Sequence, residues 1–247
     1  MKGEKLTAKT SVASPNPIGS SNSCTYIVTE GKLALAKPIV ICQREQYCKS
    51  PTHFISIPLN LFGDLDEKYS EFVHAARAWC NDSFPSSLLM PPMKLHLTVA
   101  VMHLSEPERL EAAKVLIARH EPNLRRTHIH IKGLHILKGD RDACRLLYAK
   151  VGDTSQVDLN NAFAPLLQEL AKAGLCGSLI TKVQWHCTLM NSKYAKGRPV
   201  NVNLLMDNLK DFEFGIISPS QIHLSRMSST SDKPGYYPAE LVVEIGK

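Results

Sequence analysis

The sequence contains no apolar run long enough to cross a membrane. One early apolar stretch, Ile39-Val40-Ile41-Cys42, is too short even for the core of a secretory signal peptide. These absences argue against a membrane-anchored or secreted protein. We therefore expect a chain that stays in a reducing compartment and has no membrane partner.

The sequence also lacks a disulfide framework and a metal-binding pattern. Its seven cysteines are an odd number, which does not fit a self-contained set of disulfides. Cys42, Cys48 and His53 come closest to a zinc site, but their spacing matches no common zinc finger and no second pair of ligands follows. We expect no metal ion and no other cofactor.

Runs of like charge are missing too. The 29 lysines and arginines exceed the 23 aspartates and glutamates, which gives a formal net charge of +6, but the basic residues are scattered along the chain. A positive net charge favours an anionic partner, with nucleic acid or a nucleotide ahead of a membrane surface. Because the basic residues are not clustered, charge is supporting evidence only.

Aromatic residues are almost absent from the first part of the chain. Residues 1–24 are rich in Ser, Thr, Asn, Pro and Lys, and such a segment cannot bury enough apolar surface to offset the entropy of ordering. We predict a flexible tail at 1–24, a weakly structured lead-in at 25–51 and one folded domain at 52–247. With 44% hydrophobic residues, the 247-residue chain can form a full core.

Apolar periodicity within the domain predicts more strands than helices. Strands are predicted at 53–59, 94–104, 128–137, 146–151, 183–191, 212–217, 221–227 and 241–245. Helices are predicted at 66–81, after Ser105 and at 156–173; the first carries Tyr69, Phe72, Ala76 and Trp79 on one stripe. This order predicts an α+β fold in which two pseudo-symmetric lobes of antiparallel sheet, with flanking helices, surround a central cleft.

Two motifs of the same form, His96-Leu97-Thr98 and His186-Cys187-Thr188, each lie within an apolar extended run. Because a strand turns alternate residues to opposite faces, the histidine and threonine of each motif share a face. Chance gives about half a His-x-Thr match in a chain with ten histidines, so two matches in strand phase are informative. The alternative is that both are core histidines bonded to neighbouring backbone groups.

Two facing imidazoles and two hydroxyls can cleave a phosphodiester without a metal ion. One imidazole acts as general base and the other as general acid, while the hydroxyls hold the phosphate oxygens. An ordinary imidazole has a pKa of about 6.5, so one neutral and one protonated histidine coexist close to neutral pH. The mechanism therefore requires no large pKa shift.

Through these motifs the chain resembles the 2H phosphoesterase superfamily, which carries one His-hydrophobic-Thr-hydrophobic motif in each lobe and includes the RNA 2',5' ligase-like proteins. The similar stretches are 52–54, 94–99, 147–151, 186–191 and 235–237. They are most similar to the phosphoesterase domain of activating signal cointegrator 1 complex subunit 1, and more distantly to that of A-kinase anchor protein 7. Together they extend from about residue 52 to the C-terminus.

The resemblance implies a metal-independent phosphodiesterase that acts on RNA ends, 2',5'-linked oligonucleotides or 2',3'-cyclic phosphates. His96 and His186 would supply the acid and the base, in an order that depends on how the substrate lies. Thr98 and Thr188 would donate hydrogen bonds to the non-bridging oxygens, where negative charge grows in the transition state. The sequence does not choose among the three substrates.

Three residues outside the motifs are candidates for substrate binding, and the expected ligand is RNA or a nucleotide. Tyr237 could stack on a base, while Lys193 and Arg226 could contact a flanking phosphate. The alternatives are an aromatic side chain packed at a strand end and two solvated charges.

The chain also departs from both relatives. The cointegrator subunit has an RNA-binding KH domain, which needs a Gly-x-x-Gly loop, and no such loop precedes residue 52. No kinase-anchoring amphipathic helix follows Lys247, so kinase anchoring is not expected. A second hypothesis is a non-catalytic nucleotide- or RNA-binding subunit of a nuclear transcription-coactivator or DNA-alkylation-repair complex, with cointegrator-complex subunits as partners. Both hypotheses place the protein in the nucleus, the cytoplasm or both.

Overall fold

A computed structural model describes residues 50–59, 65–80, 86–120, 127–176, 183–227 and 235–245. The predictions for the tail at 1–24 and for nearly all of the lead-in at 25–51, with Cys42 and Cys48, lie outside these ranges. Within them, no helix is long and apolar enough to span a bilayer. The same ranges contain no group of three or more His, Cys, Asp or Glu side chains that could hold a metal ion.

The described parts of the chain form eight strands and four α-helices. The strands are β1 (His53–Pro58), β2 (His96–Met102), β3 (Ile129–Lys138), β4 (Leu146–Val151), β5 (His186–Asn191), β6 (Glu213–Ile217), β7 (Gln221–Arg226) and β8 (Ala239–Glu244). The helices are α1 (Leu65–Cys80), α2 (Pro107–His120), α3 (Asp153–Lys172) and α4 (Asn203–Leu209). The eight strands lie where periodicity predicts them, and the predicted α+β fold is confirmed.

All eight strands belong to one antiparallel sheet with the order β6-β3-β4-β5-β2-β1-β7-β8. We call β2, β1, β7 and β8 the first lobe, and β5, β4, β3 and β6 the second lobe. Among the described residues, the strands of the two lobes are paired at one position, Leu97 of β2 with Cys187 of β5. The first lobe thus combines the first two strands with the last two, while the second lobe contains the four between them.

One continuous apolar core unites the lobes. The paired residues Leu97 and Cys187 belong to it, together with Phe72 of α1 and Phe163 of α3. Side chains from both lobes and from two helices therefore pack into a single cluster, so burial in the core holds the lobes together even though only one residue pair joins them in the sheet.

Helix α1 follows the first strand of the first lobe but packs against β6 and α4 of the second. Phe72 and Ala76 are fully buried, and the Phe72 ring lies 5.8 Å from Phe212 and 5.5 Å from Phe214. Trp79, the last residue of the predicted stripe, is 46% exposed. The buried stripe ends one turn earlier, at Ala76.

Helix α3 begins three residues before its predicted start. The Gln156 N–H donates to the Gly152 carbonyl at 2.9 Å, which closes the first helical turn. That turn contains the polar residues 153–155, where apolar periodicity gives no signal. The Ser155 hydroxyl donates to the His128 carbonyl at 3.0 Å and accepts from the His130 N–H at 3.1 Å, so it ties the start of the helix to the beginning of β3.

Candidate active site

The junction between the lobes brings the two motifs side by side. Their middle residues, Leu97 and Cys187, are paired and buried, so the flanking residues of each motif turn to the other face of the sheet. In the antiparallel register set by this pair, each motif histidine lies beside the threonine of the other motif. All four flanking side chains are half-buried, which fits residues at the base of an open cleft.

Each motif histidine is held in the same way by its own strand. Nδ1 of His96 lies 2.7 Å from the Lys94 carbonyl oxygen, and Nδ1 of His186 lies 2.8 Å from that of Gln184. A carbonyl oxygen can only accept a hydrogen bond, so Nδ1 must donate in both rings. This assigns the Nδ1–H tautomer to each neutral ring and leaves Nε2 as the nitrogen that can take or give a proton.

In the second lobe, a tyrosine supports the motif histidine from the side. The Tyr148 ring contacts the His186 ring edge-on, with centroids 5.1 Å apart. Tyr148 is buried and packs on its other side against His135, at 5.7 Å. Tyr148 also lies opposite Thr188 in the β4–β5 register. It is therefore a neighbour of both His186 and Thr188.

In the first lobe, three aromatic rings surround His96. The centroids of Phe54, Tyr237 and Tyr236 lie 5.3, 5.6 and 6.3 Å from that of His96. The Tyr236 hydroxyl forms a 2.7 Å hydrogen bond with the hydroxyl of Ser56, which is fully buried in β1. His96 is therefore more closely enclosed by aromatic rings than its counterpart in β5.

This enclosure changes the charge of His96. The pKa of His96 is lowered to about 4, mainly by burial; the hydrogen bond to the Lys94 carbonyl opposes this change, while the proximity of His186 and Lys193 adds to it. Part of the ring stays open to the cleft, yet most of its surroundings are protein atoms. The mechanism inferred from the sequence requires no large pKa shift, but in the structure the lowered pKa keeps His96 neutral at pH 7, with Nε2 unprotonated.

A cleft of about 1080 Å³ lies over the motifs. Three of the four motif side chains, all except His186, line it. Phe54 and Tyr237 form one wall, and α1 with residues 87–92 forms a second. Asn191 lines the cleft beyond the second motif. The walls therefore come from parts of the chain that are far apart in sequence.

The cleft is electrostatically one-sided. Three of the residues lining it are basic, namely Arg77, Lys94 and Lys193, and none of its described lining residues is acidic. A cavity in which all charged wall residues are cationic concentrates anions, which fits a phosphate-containing ligand.

The structure brings two of the three predicted substrate-binding residues into the cleft. Lys193 and Tyr237 both line it, whereas Arg226 is not among its lining residues. The Arg226 guanidinium forms an ion pair with Glu240 at 2.5 Å, and its side chain is 60% exposed. Arg226 and Glu240 lie on β7 and β8, so the arginine bridges two neighbouring strands of the first lobe.

Tyr237 is packed more tightly than a free stacking platform would be. The Lys94 ammonium lies over its ring, 5.5 Å from the centroid, and Phe54 meets it edge-on at 4.9 Å. Burial raises the pKa of its hydroxyl, and the neighbouring Tyr194 hydroxyl raises this pKa further. Tyr194 also lines the cleft, with the Lys193 ammonium 4.8 Å from its ring centroid.

Sequence reasoning misses Arg77, Lys94 and Tyr194. Proximity to a motif or to a candidate residue is the signal that could have found two of them, because Lys94 comes just before the first motif and Tyr194 follows Lys193. Arg77 carries no such signal, since it belongs to a helix whose polar face gives no sign of bordering a cleft.

We compared the sequence and the structure with known protein families, curated proteins and solved structures. The AKAP7 2'5' RNA ligase-like domain family matches residues 51–245. A comparison with curated proteins finds no match. The structure is similar to TT0787 of Thermus thermophilus, with 18% identity and a TM-score of 0.56 over 79% of this chain and 99% of that one.

The structure is also similar to two crystal structures of E. coli LigT. The LigT complex with ATP aligns with 14% identity and a TM-score of 0.53, over 81% of this chain and all of that one. The complex with 3'-AMP aligns with 16% identity and a TM-score of 0.50, over 80% and 98%. These likenesses show a shared fold, and the family match covers most of the chain. The chain therefore belongs to the AKAP7 2'5' RNA ligase-like domain family of the 2H phosphoesterase superfamily.

Proposed function

We propose that this protein is a metal-independent phosphodiesterase that acts on RNA ends, 2',5'-linked oligonucleotides or 2',3'-cyclic phosphates. The observation that carries the proposal is the matched pair of imidazoles, each with Nδ1 tied to a backbone carbonyl and Nε2 left for proton transfer. Two such groups, one from each lobe, suit a reaction in which one proton is removed and another is supplied.

The structure also supports an assignment of roles. His96 has a lowered pKa and is neutral at pH 7, so its Nε2 is suited to take the proton from the attacking hydroxyl, either of a ribose or of water. His186 would then protonate the leaving oxygen. Thr98 and Thr188, one beside each histidine, would donate hydrogen bonds to the non-bridging oxygens as their negative charge increases.

A nucleotide or RNA end is the ligand that best suits this cleft. Its walls combine aromatic rings with cations, which are the groups that bind bases and phosphates. E. coli LigT, which shares the fold, is known in complexes with ATP and with 3'-AMP. Closeness to the cointegrator subunit, partnership with its complex and residence in the nucleus or cytoplasm remain predictions.

The test is turnover of a defined panel in the presence of EDTA. The panel contains 2',3'-cyclic nucleotides, 2',5'- and 3',5'-linked dinucleotides and a short RNA with a free 3' end. We expect cleavage of at least one member, undiminished by the chelator, and loss of cleavage in His96→Asn. Binding without product would support the non-catalytic subunit, and activity that vanishes with EDTA and returns with Mg²⁺ or Mn²⁺ would refute the two-histidine mechanism.

A further inference from the structure

In the second lobe, three aromatic rings follow one another across neighbouring strands. The Tyr148 ring has the His186 ring on one side, with centroids 5.1 Å apart, and the His135 ring on the other, at 5.7 Å. His135 stacks on Tyr148 at an interplanar angle of 27°, whereas His186 meets it at 65°. The strand register explains this order, since Tyr148 lies opposite His135 of β3 and opposite Thr188 of β5. Tyr148 therefore lies between the motif histidine and a second histidine.

The first lobe repeats this order with a tyrosine that precedes β8. The Tyr236 ring lies 5.2 Å from the His223 ring and 6.3 Å from the His96 ring. Ser56 occupies the strand position that the tyrosine has in the second lobe, because it lies opposite His223 of β7 and opposite a motif threonine. Its hydroxyl forms the 2.7 Å hydrogen bond to the Tyr236 hydroxyl. Each lobe thus places a tyrosine between its motif histidine and a second histidine, by different means.

One residue of the second lobe holds both Tyr148 and His186. The Gln184 side-chain amide donates to the Tyr148 hydroxyl at 3.4 Å, and the Gln184 carbonyl accepts from Nδ1 of His186 at 2.8 Å. A hydrogen bond to Nδ1 alone fixes one atom of the imidazole and lets the ring turn about it. Contact with the Tyr148 ring restricts that turning, so the two together determine where Nε2 points.

The surroundings of Tyr148 indicate that it acts through His186. Its side chain is buried, and its hydroxyl is bonded to Gln184. It is also not among the described residues that line the cleft. Tyr148 is therefore placed to orient a neighbouring ring and not to contact a ligand.

We propose that Tyr148, backed by His135, is a positioning residue that holds the His186 ring so that Nε2 points toward the reacting phosphate. This deepens the proposed function and rests on it, because the direction of Nε2 matters for catalysis only if that nitrogen transfers a proton. The arrangement in the first lobe supports a role beyond packing. A buried aromatic ring can be placed in many ways, yet both motif histidines have a tyrosine and a second histidine in the same order.

The first measurement observes the His186 ring directly and needs no turnover. Proton–nitrogen correlation NMR spectra at about pH 9, where free imidazoles are neutral, report which ring nitrogen carries the proton. The variant His186→Asn identifies the His186 signals by their loss. We expect a single Nδ1–H form in the unsubstituted protein and in Tyr148→Phe, which keeps the ring. In Tyr148→Leu, the two nitrogen shifts of His186 should move toward each other, because the released imidazole samples both tautomers.

The matched control is Phe214→Leu. Phe214 is a buried aromatic residue of the same lobe, and its ring packs against Phe72 and Phe212. Its substitution should lower the melting temperature and leave the His186 signals unchanged. A single Nδ1–H form in Tyr148→Leu, or the same change of shifts in Phe214→Leu, would overturn the proposal.

The second measurement separates kcat from KM on a substrate that the turnover panel identifies. Misplacement of a reacting group by about 1 Å can reduce a rate by about 10²-fold. Tyr148→Leu should therefore lower kcat by about 10- to 100-fold with little change in KM, and Tyr148→Phe should retain most of kcat. A loss confined to KM would contradict positioning. If the panel yields no product, the proposed function fails, while the NMR spectra still decide whether Tyr148 positions the ring.

His135→Ala takes the place of Tyr148→Leu should that variant fail to fold. The His135 side chain is exposed, so its removal leaves the core intact while it withdraws the ring that backs Tyr148. We expect the His186 nitrogen shifts to move in the same direction by a smaller amount. Unchanged shifts would then overturn the proposal.

Discussion

A single backbone carbonyl determines which nitrogen of each motif histidine is available for chemistry. Lys94 holds Nδ1 of His96, and Gln184 holds Nδ1 of His186. The bond fixes the tautomer and the ring orientation before any ligand arrives. The alternative of a core histidine bonded to a neighbouring backbone group therefore describes Nδ1 of each ring correctly but does not account for Nε2.

Because Nδ1 holds the ring and Nε2 is left for proton transfer, a single substitution can remove Nε2 and keep the hydrogen bond of Nδ1. In His96→Asn or His186→Asn, the amide nitrogen stands close to the position of Nδ1 and can keep the bond to the carbonyl, while Nε2 is lost. We expect the rate to fall by about 10²- to 10⁴-fold with little change in melting temperature. The measurement is single-turnover cleavage beside thermal unfolding. A variant with full rate would exclude its histidine from proton transfer.

The acid limb of the pH profile should reflect the lowered pKa of His96. As pH falls, protonation of Nε2 removes the general base, so kcat/KM falls through the pKa of the free enzyme. With that pKa at about 4, activity should persist well below pH 6.5, the region in which an unperturbed imidazole is already half protonated. A profile of kcat/KM from pH 3.5 to 9 tests this, and an acid limb centred near pH 6.5 would contradict it.

At the scale of elements, the strands could be predicted from the sequence, because alternating apolar and polar residues, or short apolar runs, indicate which face of a strand is buried. Helix α4 was not, since it has only seven residues and its burial depends on Leu205 packing into a core built by distant segments. The motif residues, Lys193 and Tyr237 could be predicted, but the cleft wall formed by α1 and residues 87–92 could not. Arg77 and residues 87–92 become neighbours only once α1 packs against the second lobe.

Two glycines in turns allow a test of how much a steric clash of an added Cβ lowers the stability of the fold. Gly139 follows β3 with φ of +88°, and a Cβ there would lie 2.1 Å from the Ala143 carbonyl oxygen. Gly197 has φ of +74° but nothing within 4 Å of an added Cβ. Gly197→Ala should therefore cost about 1 kcal/mol from backbone strain alone, and Gly139→Ala clearly more, at least about 2 kcal/mol.

Urea unfolding of both glycine variants would measure the difference. The comparison isolates the clash with Ala143, because both substitutions place a Cβ at positive φ. Equal losses of stability would show that the turn after β3 adjusts without cost.

At the scale of the whole molecule, the eight strands in the described part of the chain lie between residues 53 and 244. Deletion of residues 1–24, predicted from composition to be a flexible tail, should leave the melting temperature and any catalytic rate essentially unchanged. Amide exchange on the full chain provides a second measurement. Protected amides in 1–24, or a clear loss of activity on deletion, would move the domain boundary toward the N-terminus.

The arrangement of strands in the first lobe has a consequence for synthesis of the protein. One edge of β1 pairs with β7. During translation, β7 leaves the ribosome more than 160 residues after β1. The second lobe lies between them in sequence and can pair its four strands first. Until residues 221–244 emerge, β1 exposes an unpaired edge to solvent, and such edges promote aggregation. The nascent chain therefore passes through a stage at which a chaperone has a specific edge to protect.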